Sequence, residues 1–375
     1  MRTRAIIHLD HFLHNFHAVS GRIGQKRLIC VPVKADAYGH GALKIAETSI
    51  KAGAFCLGVA SVDEGAQLRK GGIKAPILLM SQPNPQEIPV ITDASLTPFV
   101  SDSWFANALS ERAAAEKVKL PVHLKIDTGM GRIGCSVEEA PALAKHIAQC
   151  AGLELAGTAT HFAVSDSTDA QDIAYTQAQS ARFRQAIDAI RGVGVDPGII
   201  HAANSGAVIL HPDTWFDMVR PGILLYGYKS AQESEIPNFP HEPLSVKPVM
   251  ELRTAVTLIK KVKKGETISY GRTWTATQDT NIAVLAAGYA DGLPRIASGK
   301  WQALIGGNAY PLVGRICMDL CCADIGPGTD VRRWDEAVIF GGQAKDASEL
   351  AAAAGTIPYE ITCNVNKRVP RIYEP

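Results

Sequence analysis

Eight short apolar runs rich in β-branched residues, separated by segments of helical length, occupy residues 28–219, and no other feature narrows the fold of this chain so far. The runs are 28–34, 55–60, 77–81, 96–100, 122–126, 153–161, 199–203 and 216–219. Helical stretches are predicted at 42–52, 62–70, 102–117, 137–150 and 170–191, with a short Pro-bounded segment after Ser81 and an earlier helix around 11–19. Strands joined by helix-length crossovers pair in parallel, and eight such units point to closure on themselves rather than to an open sheet. The expected fold class is therefore α/β, with a (β/α)8 TIM-like barrel. Pro32 fits its run poorly, because proline removes a ladder donor, and a bulge is the expected accommodation.

Beyond about Gln232 the pattern changes. A proline-rich linker at 236–243 leads into strand-like runs at 250–261, 281–287, 301–305, 310–316 and 337–340, with one clear helix at 347–354. This predicts a barrel domain over 9–235 and a β-rich C-terminal domain over 236–375. Whether residues 1–8 pack with the second domain is left open. With 375 residues there is enough chain for two cores.

Charge and composition exclude several function classes. Lys+Arg and Asp+Glu number 38 and 37, a formal net charge of +1, so no global field recruits nucleic acid or an anionic membrane. The apolar run Ala5-Ile-Ile7 is too short for a signal-peptide core, and no run is long enough to cross a bilayer. A cytoplasmic small-molecule enzyme fits this balance. The eight cysteines lack a framework spacing and are expected as free thiols; Cys317, Cys321 and Cys322 read as part of a packed strand rather than a metal site. His8, His11, His14 and His17 recur every third residue, but no carboxylate or cysteine completes a site, so a solvated helix face is favoured and no metal is expected.

A barrel carries its chemistry on the C-terminal ends of its strands. Lys34 ends the first run, Lys125-Ile-Asp127 the fifth, His161 the sixth, Asn204-Ser205 the seventh and Arg220-Pro-Gly222 the eighth. A lysine at a strand end can be a surface charge, an ion-pair partner, or an amine dry enough to attack a carbonyl. The turn chemistry of Tyr38-Gly-His-Gly41, directly after it, favours the last. The loops after strands seven and eight, Asn204-Ser-Gly206 and Pro221-Gly-Ile223, suit an anion. A reactive amine and a phosphate cradle across one barrel mouth match the dimensions of pyridoxal phosphate.

Several strings carry a more specific signal. They are Val33-Lys-Ala-Asp-Ala-Tyr-Gly-His-Gly41, Leu124-Lys-Ile-Asp-Thr-Gly-Met-Gly-Arg-Ile-Gly134, Thr160-His-Phe162, Asn204-Ser-Gly206 and Met218-Val-Arg-Pro-Gly-Ile223. Later come Ser269-Tyr-Gly-Arg-Thr-Trp274, Gly288-Tyr-Ala-Asp-Gly-Leu-Pro-Arg295, Val313-Gly-Arg-Ile-Cys-Met-Asp319 and Pro358-Tyr-Glu-Ile361. Together, and in this order, they resemble the alanine racemases over nearly the whole chain.

The resemblance implies a fold type III enzyme that uses pyridoxal 5′-phosphate, in a head-to-tail homodimer with shared sites, supplying D-alanine for peptidoglycan. It implies that Lys34 holds the cofactor and is one proton carrier, and that Tyr270 of the partner subunit is the other, with His161 as acceptor for the phenol. Arg220 would face the pyridine nitrogen. Arg132 and the Met318 backbone would bind the substrate carboxylate, and Lys125 would stand where many members carry a carbamate. Tyr38, Ser205, Gly222, Ile223 and Tyr359 would bind phosphate, Asn204 would join the cofactor site, and Tyr289 would line the entrance. Three other readings remain: a non-catalytic barrel that carries the cofactor, a decarboxylase of the same fold, and a racemase of broader or different specificity, such as serine. An arginine opposite the ring nitrogen speaks against the decarboxylase, which needs an acid there.

Overall fold

The computed structural model describes residues 2–231 and 241–375. The expected domain boundary at 235/236 and most of the predicted linker therefore lie outside the described residues.

The chain opens with β1 (Arg4–His8) and the amphipathic helix α1 (Leu9–Ile23), which buries Phe12, Phe16, Val19 and Ile23. Eight strands then close a parallel barrel in sequence order: β2 (Leu28–Pro32), β3 (Cys56–Val59), β4 (Ile77–Leu79), β5 (Thr97–Val100), β6 (Leu120–Lys125), β7 (Leu153–Ala159), β8 (Ile199–His201) and β9 (Met218–Val219). The turn α2 (Lys34–Tyr38) and the helices α3 (Ala42–Lys51), α4 (Val62–Lys70), α5 (Ile88–Asp93), α6 (Ser103–Ala115), α7 (Ala140–Gln149), α8 (Ala170–Gly192) and α9 (Ser205–Leu210) lie between them. The segment expected only to be Pro-bounded thus holds α5. Apart from β7, whose middle is half-exposed, these strands are buried nearly throughout and mostly apolar, as strands flanked by helices and a filled interior must be, with His123 and Lys125 on β6 and His201 on β8 among the buried polar exceptions.

Pro32 needs no bulge, since β2 and β3 run in unbroken register through Cys30–Cys56, Val31–Leu57 and Pro32–Gly58. Leu28 N–H donates toward β9, to Asp217 O, and Val33 N–H toward β3, to Gly58 O. Alternation aims position 32 toward β9, whose pairing with β2 ends at Ile29–Val219. The donor that proline lacks would have had no ladder partner.

The second sheet runs β13-β16-β15-β14-β17-β10-β1-β18. Its members are β10 (Met250–Val262), β13 (Thr280–Leu285), β14 (Gln302–Ile305), β15 (Asn308–Val313), β16 (Cys321–Gly326), β17 (Glu336–Phe340) and β18 (Arg371–Glu374). The first half of β10 pairs with β1 and β17 and its second half with β13, so the sheet curls back on itself. β1 lies between β10 and β18. A hairpin, β11 (Thr267–Ile268) with β12 (Trp274–Thr275), projects from this unit. Two helices accompany it rather than one: α10 (Ala347–Ala354), started by a capping box on Asp346, and α11 (Pro358–Cys363), started by proline in its first turn.

The solvated helix face expected of the histidine run holds for His17, which is exposed on α1, but not for the whole run. His8 ends β1 with Nε2 2.7 Å from Glu251 Oε1, while His11 and His14 reach the carbonyls of Pro248 and Ser245. No cluster that could hold a metal occurs among the described residues, and Cys321 and Cys322 sit on β16. No described helix is long and apolar enough to cross a membrane.

Candidate active site

The loop that carries Lys34 is wound against the usual hand. Ala35, Asp36, Ala37 and Tyr38 all have φ between 51° and 55°, a left-handed turn that costs about 1–2 kcal/mol per residue for L-amino acids. Its surroundings hold it. Glu64 accepts from Ala35 N–H at 2.7 Å while also completing the capping box of α4, and Asp36 Oδ1 accepts from Ala42 N–H at 2.8 Å. The buried His40 donates from Nδ1 to Ala37 O and Tyr38 O, at 3.0 and 2.9 Å. Gly39 is required where α11 crosses, since a Cβ there would stand 2.1 Å from Thr362 O.

This turn directs Lys34 and Tyr38 into a cavity of roughly 180 Å³ over the C-terminal ends of the barrel strands. The same cavity is lined by Lys125, Arg132, His161, Asn204, Ser205, Arg220, Gly222 and Tyr359. Ile223 lies directly behind Gly222, fully buried, and starts the 3₁₀ turn Ile223–Tyr226. Tyr270, Met318 and Tyr289 are not part of the wall; they are 71 %, 53 % and 41 % exposed on turns of the β-rich unit.

Electrostatically the cavity is dominated by cations: Lys34, Lys125, Arg132 and Arg220 line it against one carboxylate, Asp166, and none of the four forms a salt bridge among the described residues. Burial, then the Arg132 charge, pulls the Lys34 amine below its ordinary pKa. Burial and the Arg220 charge bring Lys125 down to about 7, although Asp127 opposes them; Lys125 Nζ donates to Ile126 O at 3.0 Å. Arg220, pushed down by burial to about 10, stays protonated at neutrality. No salt bridge forms at Arg220 among the described residues. Its guanidinium donates to His201 Nδ1 at 2.6 Å, to Thr160 O at 2.8 Å, to Ala202 O at 3.1 Å and to His161 Nδ1 at 3.2 Å.

Because guanidinium only donates, these contacts assign tautomers. His201 accepts at Nδ1, carries its proton on Nε2 and gives it to His123 Nδ1 at 2.8 Å. Burial first, and then the Arg220 charge, hold both rings neutral. His161, likewise driven far down by burial and Arg220, accepts at Nδ1 and therefore presents Nε2 as a donor. In this tautomer the ring offers a donor where the resemblance implies an acceptor.

Sequence reading missed the device that shapes the Arg132 loop. Asp127 accepts the N–H groups of Gly129, Met130, Gly131 and Arg132 at 2.8–3.2 Å. Burial pushes its carboxyl up, but the backbone donors outweigh that and hold it below the usual carboxylate range. Tyr175 on α8 ties the same loop from outside through Gly129 O at 2.7 Å. The run Asp-Thr-Gly-Met-Gly signals such a turn, but not its four-fold acceptor. Also missed were the buried His123 and His201, and the apolar wall of Met80, Phe99 and Ile133.

At the loops after β8 and β9, Ser205 Oγ accepts from Gly222 N–H at 2.9 Å. A Cβ at Gly222 would come 2.5 Å from Tyr38 Oη, and one at Gly206 2.7 Å from Asp166 N, so the glycines keep this end open. Asn204 is committed structurally: its Oδ1 caps α9 at Ala207 N and accepts from Ser165.

On the β-rich unit the three exposed turns are cross-braced. Tyr289 N–H and Ala290 N–H donate to Cys317 O and Met318 O, each at 3.0 Å, and the buried Asp291 is held by Arg368 at 2.8 Å. Ser269, beside Tyr270, has φ 65° and ψ −176°, a region that costs a side-chain-bearing residue about 1–3 kcal/mol.

Comparison with known proteins agrees with this geometry. Residues 7–230 match the family "Alanine racemase, N-terminal domain" and residues 249–373 "Alanine racemase, C-terminal domain". An alanine racemase of Treponema denticola is 50 % identical over 99 % of this chain and 98 % of its own length, and one of Treponema pallidum 43 % over the same shares. The solved alanine racemase of Clostridium difficile 630 superposes with a TM-score of 0.92 at 34 % identity, covering 100 % of this chain and 96 % of that one. The alanine racemase of Bacillus anthracis with bound L-Ala-P gives 0.90 at 32 %, covering 100 % and 95 %. The chain belongs to the alanine racemase family and is an amino-acid racemase, an isomerase.

Proposed function

We propose that the chain binds pyridoxal 5′-phosphate and interconverts L- and D-alanine by two-base proton transfer, in a homodimer whose sites are completed by Tyr270 and Met318 of the partner subunit. The observation that carries this reading is one cavity holding both a Lys34 amine of lowered pKa and the donor set of Ser205, Gly222, Tyr38 and Tyr359. A phosphate needs several donors and room for close backbone approach, and a carbonyl needs an amine that is readily neutral. Both ends of the cofactor find matching chemistry, with Ile223 and Asn204 behind the phosphate end and His161 in the wall. When bound, the cofactor supplies a sink for the electron pair left on the substrate Cα.

The remaining tasks fall to the chain. Arg132 holds the substrate carboxylate by charge-assisted hydrogen bonds, with the Met318 backbone N–H as a second donor. Lys34 moves the Cα proton on one face. One group cannot serve both faces of a planar carbon, so a second carrier must stand opposite. Tyr38 and Tyr359 are poor candidates, because burial raises their pKa and the phosphate end claims them. The exposed Tyr270 can reach another copy, and the His161 Nε2–H that it would meet there stabilises a phenolate. Arg220 cannot accept a proton from a pyridine nitrogen, which keeps the sink weak and limits side reactions. Lys125 becomes a carbamate, whose negative charge orients Arg132. Tyr289 lines the entrance, and 9–235 and 236–375 act as the two units. Supply of D-alanine to peptidoglycan in the cytoplasm rests on family resemblance.

The test is an absorption spectrum of the purified protein, borohydride reduction and peptide mapping, followed by optical rotation with L-alanine and L-serine. A label on Lys34 and loss of rotation with L-alanine are expected. A label elsewhere overturns the assignment, and faster loss with L-serine overturns the specificity.

A further inference from the structure

Tyr270 sits at the tip of the β11–β12 hairpin, 71 % exposed, so packing of its own ring within this chain does little to fix where it stands. The preceding residue is the place to look. Ser269 combines φ 65° with ψ −176°, a conformation that belongs almost wholly to glycine. Its side chain makes the contact that holds it there. Ser269 Oγ donates to Arg315 O at 2.6 Å and lies 3.4 Å from Cys317 Sγ.

The segment it grips is the one that carries Met318. Backbones meet closely at this point, since a Cβ on Gly314 would come 2.7 Å from Ile268 O and 2.9 Å from Ser269 Cβ. Beyond the grip, Cys317 and Met318 accept from the Tyr289 turn. One hydroxyl therefore ties the Tyr270 turn to a braced platform.

We propose that Ser269 is a positioning residue that sets the place of Tyr270 relative to Met318, its hydroxyl holding a backbone conformation that its own Cβ disfavours. This rests on the reading of Tyr270 as the second proton carrier. It implies an unusual ranking. Alanine at 269 keeps the strain and loses the tie, so the turn relaxes and Tyr270 moves. Glycine also loses the tie but has no strain to release, and retains more of the geometry.

The test compares Ser269→Ala, Ser269→Gly and Tyr270→Phe as cofactor-loaded protein, with cofactor content checked by absorbance. Racemisation is measured from each enantiomer, with protium and with deuterium at Cα. Expected is a loss of about tenfold or more in kcat for Ser269→Ala and a smaller loss for Ser269→Gly. The deuterium effect should rise only from the enantiomer whose proton Tyr270 handles. Equal losses in the two variants, or an effect that rises equally from both enantiomers, would overturn the proposal. If Tyr270→Phe keeps full activity, the underlying reading of Tyr270 fails instead. If Tyr270→Phe is dead while Ser269→Ala matches wild type, only the Ser269 inference falls.

Discussion

Lys125 offers the sharpest quantitative test of the cavity's electrostatics. Its amine falls from an ordinary 10.5 to about 7 because burial and the Arg220 charge penalise its cationic form. At about 1.4 kcal/mol per pH unit, that difference amounts to ~5 kcal/mol held against the folded state while the amine is charged. Below pH 7 both folded and unfolded chains carry the proton and the penalty is constant. Between about 7 and 10.5 the unfolded chain binds more protons, so stability rises with pH, and above 10.5 the penalty is gone. Wild type should gain roughly 2–3 kcal/mol relative to Lys125→Met between pH 7 and pH 9 in CO₂-stripped buffer. Urea midpoints followed by circular dichroism, at one protein concentration, measure this directly. Parallel pH profiles for the two proteins would refute the argument. The same shift bears on carbamate formation, which requires a neutral amine. At pH 7 about half of Lys125 is neutral, against about one in 3,000 for an unperturbed lysine. Adding bicarbonate should therefore stabilise wild type and leave Lys125→Met unchanged, because the carbamate converts an unpaired buried cation into a partner for the neighbouring arginines.

Gly222→Ala places a methyl 2.5 Å from Tyr38 Oη and should weaken cofactor binding by about tenfold or more, read by titrating cofactor-free protein; unchanged affinity would remove the phosphate cradle. Asp127→Asn removes a carboxylate that accepts four N–H groups around Arg132, so KM for alanine should rise about tenfold with a smaller change in kcat. In wild type, KM should rise at acid pH, since the depressed Asp127 pKa means that the loop loses its acceptor only as pH falls through that lowered value. Mixing Lys34→Ala with Tyr270→Phe chains under exchange should restore about a quarter of wild-type activity, because half of the dimers are mixed and each has one intact site. A mixture that stays inactive excludes sites shared between subunits.

The barrel was legible because its parallel strands are buried on both faces and read as near-continuous apolar runs. For the same reason, the ends of those runs pointed to Lys34, His161, Asn204, Ser205 and Arg220, which line one cavity in the structure. What sequence concealed was decided by partners far away in the chain. Nothing in Ala35-Asp-Ala37 signals a left-handed turn, which exists because Glu64, His40 and Thr362 surround it. Pro32 looked like a defect until β9 proved to end short of it. α11 is six residues long and half of it is β-branched or Cys, too little periodicity to declare a helix, yet it delivers Tyr359. Arg220 was assigned to a ring nitrogen without its supports, because His201 and His123 join it only through the curvature of the barrel.

The placement of β1 bears on how such a chain can be made. Residues 4–8 leave the ribosome ahead of every other described strand, but they pair with Met250–Arg253 on one side and Arg371–Glu374 on the other. Translation must therefore run through more than 240 further residues before either neighbour exists. Throughout that interval the nascent protein trails an orphan apolar ribbon, Ala5-Ile-Ile7, and once Met218–Val219 has emerged the barrel can close while that ribbon still lacks both neighbours. Any attempt to produce the β-rich half as a separate polypeptide should fuse residues 2–8 to it, since otherwise a gap one strand wide separates β18 from β10.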